Sequence, residues 1–169
     1  PGGLPPGFLF VRSCLDDIRD LCGEEGIHEM NVLFFDWKDY AKEIEDVANT
    51  GMYDILGHPF NLRLFKNIPE KKDVDKLLES TAKCLKKNNM IVDVNTGTFY
   101  RYPIKEITPY RDFMEYVKKY DIPVILSSDS HYSEHVGMKI KEAGEYVKEF
   151  GITEMVTFDK RKRKMVEIG

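Results

Sequence analysis

Short apolar runs that alternate with helically patterned segments predict an α/β fold in which parallel strands are joined by helices. Three observations support this. The runs Tyr53–Leu56, Met90–Val94 and Pro123–Leu126 each have strand composition and each end in a polar turn. Between them, apolar residues recur at the spacing of a helix. With 169 residues, of which 42% are hydrophobic and 32% charged, the chain suits one sizeable core, so residues 1–169 are expected to form a single domain.

The elements follow in order. Trp37, Tyr40, Ala41, Ile44, Val47 and Ala48 place an amphipathic helix over Asp36 to Asn49, closed by Gly51. Tyr53-Asp54-Ile55-Leu56 reads as a strand that stops at Gly57-His58-Pro59, because proline cannot continue a ladder. Val74, Leu77, Leu78 and Leu85 mark a helix from Glu70 to Lys87, and Met90–Val94 is the next strand, running out at Asn95-Thr96-Gly97. Thr108-Pro109 suits an N-cap with proline at the first helical position, and Phe113, Met114 and Val117 form the buried stripe of a helix reaching Tyr120. Pro123–Leu126 is the third strand. Ser133 is expected to cap a fourth helix whose stripe is Val136, Ile140, Ala143, Val147 and Phe150, with Gly151 ending it. Met155–Phe158 and Met165–Ile168 are the last candidate strands.

Charge and cysteine content exclude several classes. A net charge of −4 and a pI near 5.6 argue against a nucleic-acid binder, which needs Lys and Arg to neutralise phosphates. The run Lys160–Lys164 reads as a solvated turn or a charge-protected edge strand. Cys14, Cys22 and Cys84 are odd in number and lack CxxC spacing, so neither a disulfide framework nor a thiolate zinc site is indicated, and a reducing, cytoplasmic setting fits. No apolar stretch approaches the roughly 20 residues of a membrane span, so no membrane association is expected. The Gly/Pro-rich opening Pro1–Gly7 has no initiator Met and reads as a linker, a processed end or the edge of a larger protein.

In parallel α/β architectures, ligands gather beyond the C-terminal ends of the strands. Here those ends carry Gly57-His58-Pro59, Asn95-Thr96-Gly97 and Ser128-Asp129-Ser130-His131. In an extended chain, residues two apart face the same way, so the Asp129 carboxylate and His131 imidazole can converge on one ion. Ser-Asp-Ser also suits a turn or N-cap. Imidazole and carboxylate at His58, Asp129 and His131 make a donor set for a divalent transition metal, Zn, Mn or Fe, able to activate water. His135 is expected to face solvent in the first turn of a helix, and His28 reads as structural. Neither a Gly-x-Ser-x-Gly elbow nor a P-loop occurs.

The ordered set Asp54-Ile55-Leu56-Gly57-His58-Pro59, Val92-Asp93-Val94-Asn95-Thr96-Gly97 and Pro123 to His131, with Val136-Gly137 after it, resembles the later motifs of the PHP superfamily, most closely its histidinol-phosphatase branch. Tyr102-Pro103 resembles that branch too. The resemblance covers Asp36 to Gly151. It implies a partial (β/α)7 barrel of the PHP type that holds up to three metal ions in a complete member. The implied reaction is hydrolysis of a small-molecule phosphate ester, histidinol phosphate to histidinol and phosphate, through a metal-bound hydroxide. By the same resemblance, His58, Asp129 and His131 are metal ligands, Asp129 and His131 act in catalysis, and Asn95 lines the substrate pocket. Arg101 is a plausible phosphate clamp, since guanidinium matches phosphate oxygens in a bidentate way.

The chain also departs from that family. The family's opening His-x-His is absent, Arg12-Ser13-Cys14-Leu15 puts leucine where a ligand is expected, and Asp93 stands where a longer Glu is usual. The expectation is therefore the C-terminal portion of a PHP-like protein whose metal cluster is incomplete within these residues. Three alternatives stay open: a PHP-like structural or regulatory module without catalytic metals, a phosphoesterase acting on nucleotide phosphates, and an amidohydrolase-type barrel. The last is disfavoured by the Asp-x-His pair.

Overall fold

The computed structural model describes residues 37–65, 70–102 and 105–169. Pro1–Gly7, Arg12–Leu15, Cys22, His28 and Pro103 lie outside them. Helix α1 is Trp37–Asn49, strand β1 Ile55–Leu56, α2 Lys71–Lys87, β2 Ile91–Asn95, α3 Gly97–Arg101, α4 Arg111–Lys119, β3 Val124–Ser127 and α5 Ile140–Lys148. Strands β4, Glu154–Asp159, and β5, Lys162–Glu167, follow. Thus α/β organisation with parallel strands between helices is what the residues form.

The three-stranded sheet runs β1-β2-β3, with both pairings parallel. Central β2 is buried at every position, which explains its unbroken Ile91-Val92 start: a strand covered on both faces has no solvent side to keep polar. Helix α2 packs against both α1 and α4. Their stripes, Trp37, Tyr40, Ala41, Ile44 and Ala48, then Val74, Leu78, Ala82 and Leu85, then Phe113, Met114 and Val117, join β2 in one core. Gly51 closes α1 in the left-handed conformation, φ 65°, as a C-terminal glycine commonly does.

Two expectations need correction, and the last two strands form a ribbon of their own. The helix containing Phe113 begins at Arg111, not Thr108. Thr108 is bridged to Asn95 through both backbone groups, N–H to O at 3.1 Å and O from N–H at 2.6 Å, so it is held at the sheet rather than at a helix start. Ser133 opens only the short 3-10 turn Ser133–His135, and α5 starts at Ile140. Between them Gly137 and Lys139 adopt φ 74° and 63°, which no continuous right-handed helix tolerates, and Val136 is left 74% exposed instead of in a stripe. Finally, β4 and β5 are antiparallel and form their own two-stranded ribbon. Lys160 and Arg161 make its turn and β5 carries Lys162–Lys164, so the basic run is a turn and a strand. Arg163 Nη2 pairs with Asp54 Oδ1 at 2.5 Å, tying the ribbon to the chain just before β1.

Candidate active site

Register brings the strand ends together. Leu56 aligns with Val92 and Asn95 with Ser127, so His58, Asn95 and Asp129 all lie at the C-terminal edge of the sheet. His58 has left-handed backbone, φ 50°, as does Phe60, φ 61°. Such backbone needs support from its surroundings, and Phe60 supplies it. Its ring is fully buried against Trp37, Tyr40 and Phe113 at centroid distances of 5.9, 5.7 and 5.0 Å. The Tyr40 hydroxyl accepts the Phe60 N–H at 3.2 Å and donates a long bond to the His58 carbonyl at 3.4 Å. Burial pushes the Tyr40 phenol up to about 12, so it stays a donor at neutral pH.

Asn95 is the hub. Its Oδ1 accepts the Gly97 N–H at 2.7 Å, which turns its amide nitrogen toward His58 Nε2 at 3.0 Å, Ser127 Oγ at 3.1 Å and Asp93 Oδ2 at 3.1 Å. Asp93 lies two residues back on β2, so its side chain shares Asn95's face. Its other oxygen, Oδ1, is buried and has no partner. Gly97 is glycine for lack of room: a Cβ there would sit 2.8 Å from Asp129 Cβ and 2.9 Å from Asn95 Oδ1.

Asp129 Oδ2 has two close partners, His58 Nε2 at 2.9 Å and Arg101 Nη1 at 2.5 Å. The side chain is only 13% exposed. Burial works to raise this carboxyl, but the hydrogen bond and charge of His58, with the charges of Arg101 and His131, outweigh it and hold Asp129 below the ordinary carboxylate range. Asp129 itself has φ 47°, so the chain has left the extended conformation here. In consequence Asp129 and His131 do not point the same way. The His131 ring is exposed and its Nδ1 lies 3.1 Å from the Asp129 backbone carbonyl, while the Asp129 carboxylate turns to His58.

The chain is similar to a probable histidinol-phosphatase of Deinococcus radiodurans. The two are 28% identical over 127 residues, 75% of this chain and 46% of that protein, so the match spans about half of the relative's length. No family model matches the chain.

His58 Nε2 and Asp129 Oδ2 are the two adjacent side-chain groups here that could hold a divalent cation. His58 Nε2 carries at most one hydrogen, so it either donates to Asp129 or accepts from Asn95. Asp93 Oδ1, buried and without a partner, is an acceptor left over next to Asn95. The fit is to a pair of ligands and not to a closed cage: among the described residues, no three His, Cys, Asp or Glu side chains group as a metal site.

Tyr100 escaped sequence reasoning, and His135 takes a place other than the one expected. Tyr100 donates to the Ser128 carbonyl and packs its ring against His135 at a tilt of 46°, with centroids 4.4 Å apart, bracing the loop that presents Asp129. His135 is accordingly half-buried, with a shielded Nδ1, rather than solvent-facing as its helical placement suggested. Helical spacing was the only signal for His135, and the helix is not there. For Asp93 a signal existed, a carboxylate inside the apolar run Met90–Val94.

Proposed function

We propose that this chain carries part of the active site of a metal-dependent phosphomonoester hydrolase of the histidinol-phosphatase kind, converting histidinol phosphate and water to histidinol and phosphate. One observation carries the reading: His58, Asn95, Arg101 and Asp129 meet at the C-terminal edge of a parallel sheet, in a chain similar to a probable histidinol-phosphatase. The fold proposed with it is part of a PHP-type barrel forming one domain, at work in the cytoplasm on a small phosphate ester.

His58 Nε2 and Asp129 Oδ2 would hold a Zn, Mn or Fe ion, with His131 joining by rotation of its exposed ring. Such an ion, when bound, activates water and polarises a phosphoryl oxygen. The remaining work belongs to the protein. Asn95 stands beside His58 with its amide oriented by the Gly97 N–H, and Asp129 stays ionised as a ligand must. Arg101 offers a planar donor pair to the phosphate oxygens.

The test is phosphate release from histidinol phosphate by the full chain supplied with Mn²⁺, before and after Asp129→Ala and His131→Ala. Release that survives both substitutions unchanged defeats the proposal. A second reading, a PHP-like structural or regulatory module without catalytic metal, is favoured by the lack of a three-ligand group among the described residues. Elemental analysis separates the two, because such a module carries no stoichiometric metal even when Mn²⁺ is supplied.

A further inference from the structure

One side chain joins the turn after His58 to two helices. Arg63, in the 3-10 turn Asn61–Phe65, pairs through Nη2 with Asp112 Oδ2 in the first turn of α4. Its guanidinium also lies against two rings, 5.5 Å from the centroid of Trp37, the first residue of α1, and 5.0 Å from that of Tyr110, just before α4. A flat guanidinium suits aromatic faces in a way that a lysine ammonium does not. The next residue of α4, Phe113, packs its ring on Phe60, so the segment from His58 to Arg63 is held against α4 at two points. Backbone bonds carry the constraint back along it: the Arg63 N–H donates to the Phe60 carbonyl and the Asn61 N–H to the His58 carbonyl, each at 3.3 Å.

The cluster is a poor source of stability. The Arg63 side chain is only 17% exposed and its Nε is buried with no acceptor, and among the described residues the Tyr110 hydroxyl and Asn61 Oδ1 are also buried without partners. Each such atom keeps a desolvation cost that its neighbours do not offset. An ion pair taken this far out of water can often be replaced by apolar side chains of similar volume without loss. What the pair does fix is place. We propose that Arg63 is a positioning residue for His58: by tying the turn at Asn61–Phe65 to the starts of α1 and α4, it sets the left-handed bend that aims His58 Nε2 at Asp129. The inference rests on the reading above for the use made of His58, and its test reads the position of that ring alone.

The experiment follows the His58 ring by NMR in the full chain with EDTA present. Its Cε1–Hε1 cross-peak is identified by its loss in His58→Gln, and Asp129→Asn reports the contact, since removing the neighbouring charge moves that cross-peak. In Arg63→Met most of this shift is lost, because the ring no longer faces Asp129, while the methyl cross-peaks of β2 and α5 stay in place. Arg63→Lys, which keeps the charge but not the flat guanidinium, retains part of the shift. An equal shift in wild type and Arg63→Met overturns the proposal. So does movement of the β2 and α5 methyl cross-peaks along with that of His58, which means that the fold as a whole has loosened. If Arg63→Met does not fold, Asp112→Asn, which breaks the same pair from its other side, takes its place in the comparison. A wild-type cross-peak that Asp129→Asn leaves unmoved means that the two side chains do not meet and overturns the proposal as well. Absence of phosphate release with the expected shifts intact overturns the phosphatase reading and leaves Arg63 as the residue that places His58.

Discussion

His58 and Asp129, 71 positions apart, meet through Nε2 and Oδ2 at 2.9 Å. Both have left-handed backbone, φ 50° and 47°, at the first bend after a parallel strand. Such conformations are sparsely populated for residues with side chains and persist where the surroundings over-determine them. Here the surroundings are identifiable. Phe60 and Tyr40 hold the His58 bend, while Tyr100 and the Ser128 hydroxyl, which accepts the Gly137 N–H at 3.1 Å, hold the loop of Asp129.

Gly97→Ala tests how closely that loop must approach β2. The added methyl would stand 2.8 Å from Asp129 Cβ and 2.9 Å from Asp129 Oδ2, and Cβ moves only if backbone moves. The expected cost is about 1–3 kcal/mol of stability from overpacking. If the chain acts in the phosphatase proposed above, displacing Asp129 from His58 should also lower the rate of phosphate release about a hundredfold. Thermal denaturation and steady-state kinetics measure the two effects, and an unchanged rate would show that Asp129 need not stay where it is.

Tyr40→Phe removes one oxygen and keeps the ring that packs on Phe60. The Phe60 N–H is buried and loses its acceptor, so about 1–3 kcal/mol of stability should be lost. Tyr40→Ala should cost more, because the packing goes as well. Urea unfolding midpoints of the two variants decide it: equal losses would mean that the hydroxyl contributes nothing to the bend.

Much of the fold was legible because its elements are periodic and amphipathic. The stripe Val74, Leu78, Leu85 is where α2 is buried, and Phe113, Met114, Val117 is where α4 is. What failed were inferences that assumed one backbone state would continue. Ser133 and the stripe after it imply a helix only if Gly137 and Lys139 stay right-handed, and neither does. The convergence of Asp129 and His131 required extended backbone, which ends at Ser127. His58, Asn95 and Asp129 stood out in the sequence because each closes an apolar strand, and the parallel register does bring the three together. Arg101's partner did not stand out, since nothing in the sequence tells which of many carboxylates an arginine will meet.

The β4–β5 ribbon can be stabilised at its turn. Lys160 and Arg161, φ 48° and 68°, form a two-residue loop between the paired Asp159 and Lys162. Both positions need the left-handed region, which Asn-Gly occupies at little cost and which Lys-Arg resists. Replacing them with Asn and Gly should raise stability by about 1 kcal/mol. The site chemistry is not touched, so a rise in the melting temperature should come without change in phosphate release.

Glu79 joins α2 to the end of α4, accepting from Lys119 Nζ and from the Tyr120 hydroxyl, each at 2.6 Å. The Lys119 hydrogen bond, then that of Tyr120, lowers its carboxyl from 4.5 to about 2. A carboxyl depressed in the folded state stabilises the fold above its unfolded value and loses that contribution as pH falls through the folded one. The stability difference between wild type and Glu79→Gln should therefore be full at neutral pH, shrink below about 4.5 and vanish near 2. Because the group lies at the surface, added salt should reduce the difference at every pH. Urea midpoints of both proteins across this range measure it, and a pH-independent difference would mean that Glu79 acts by packing and not by charge.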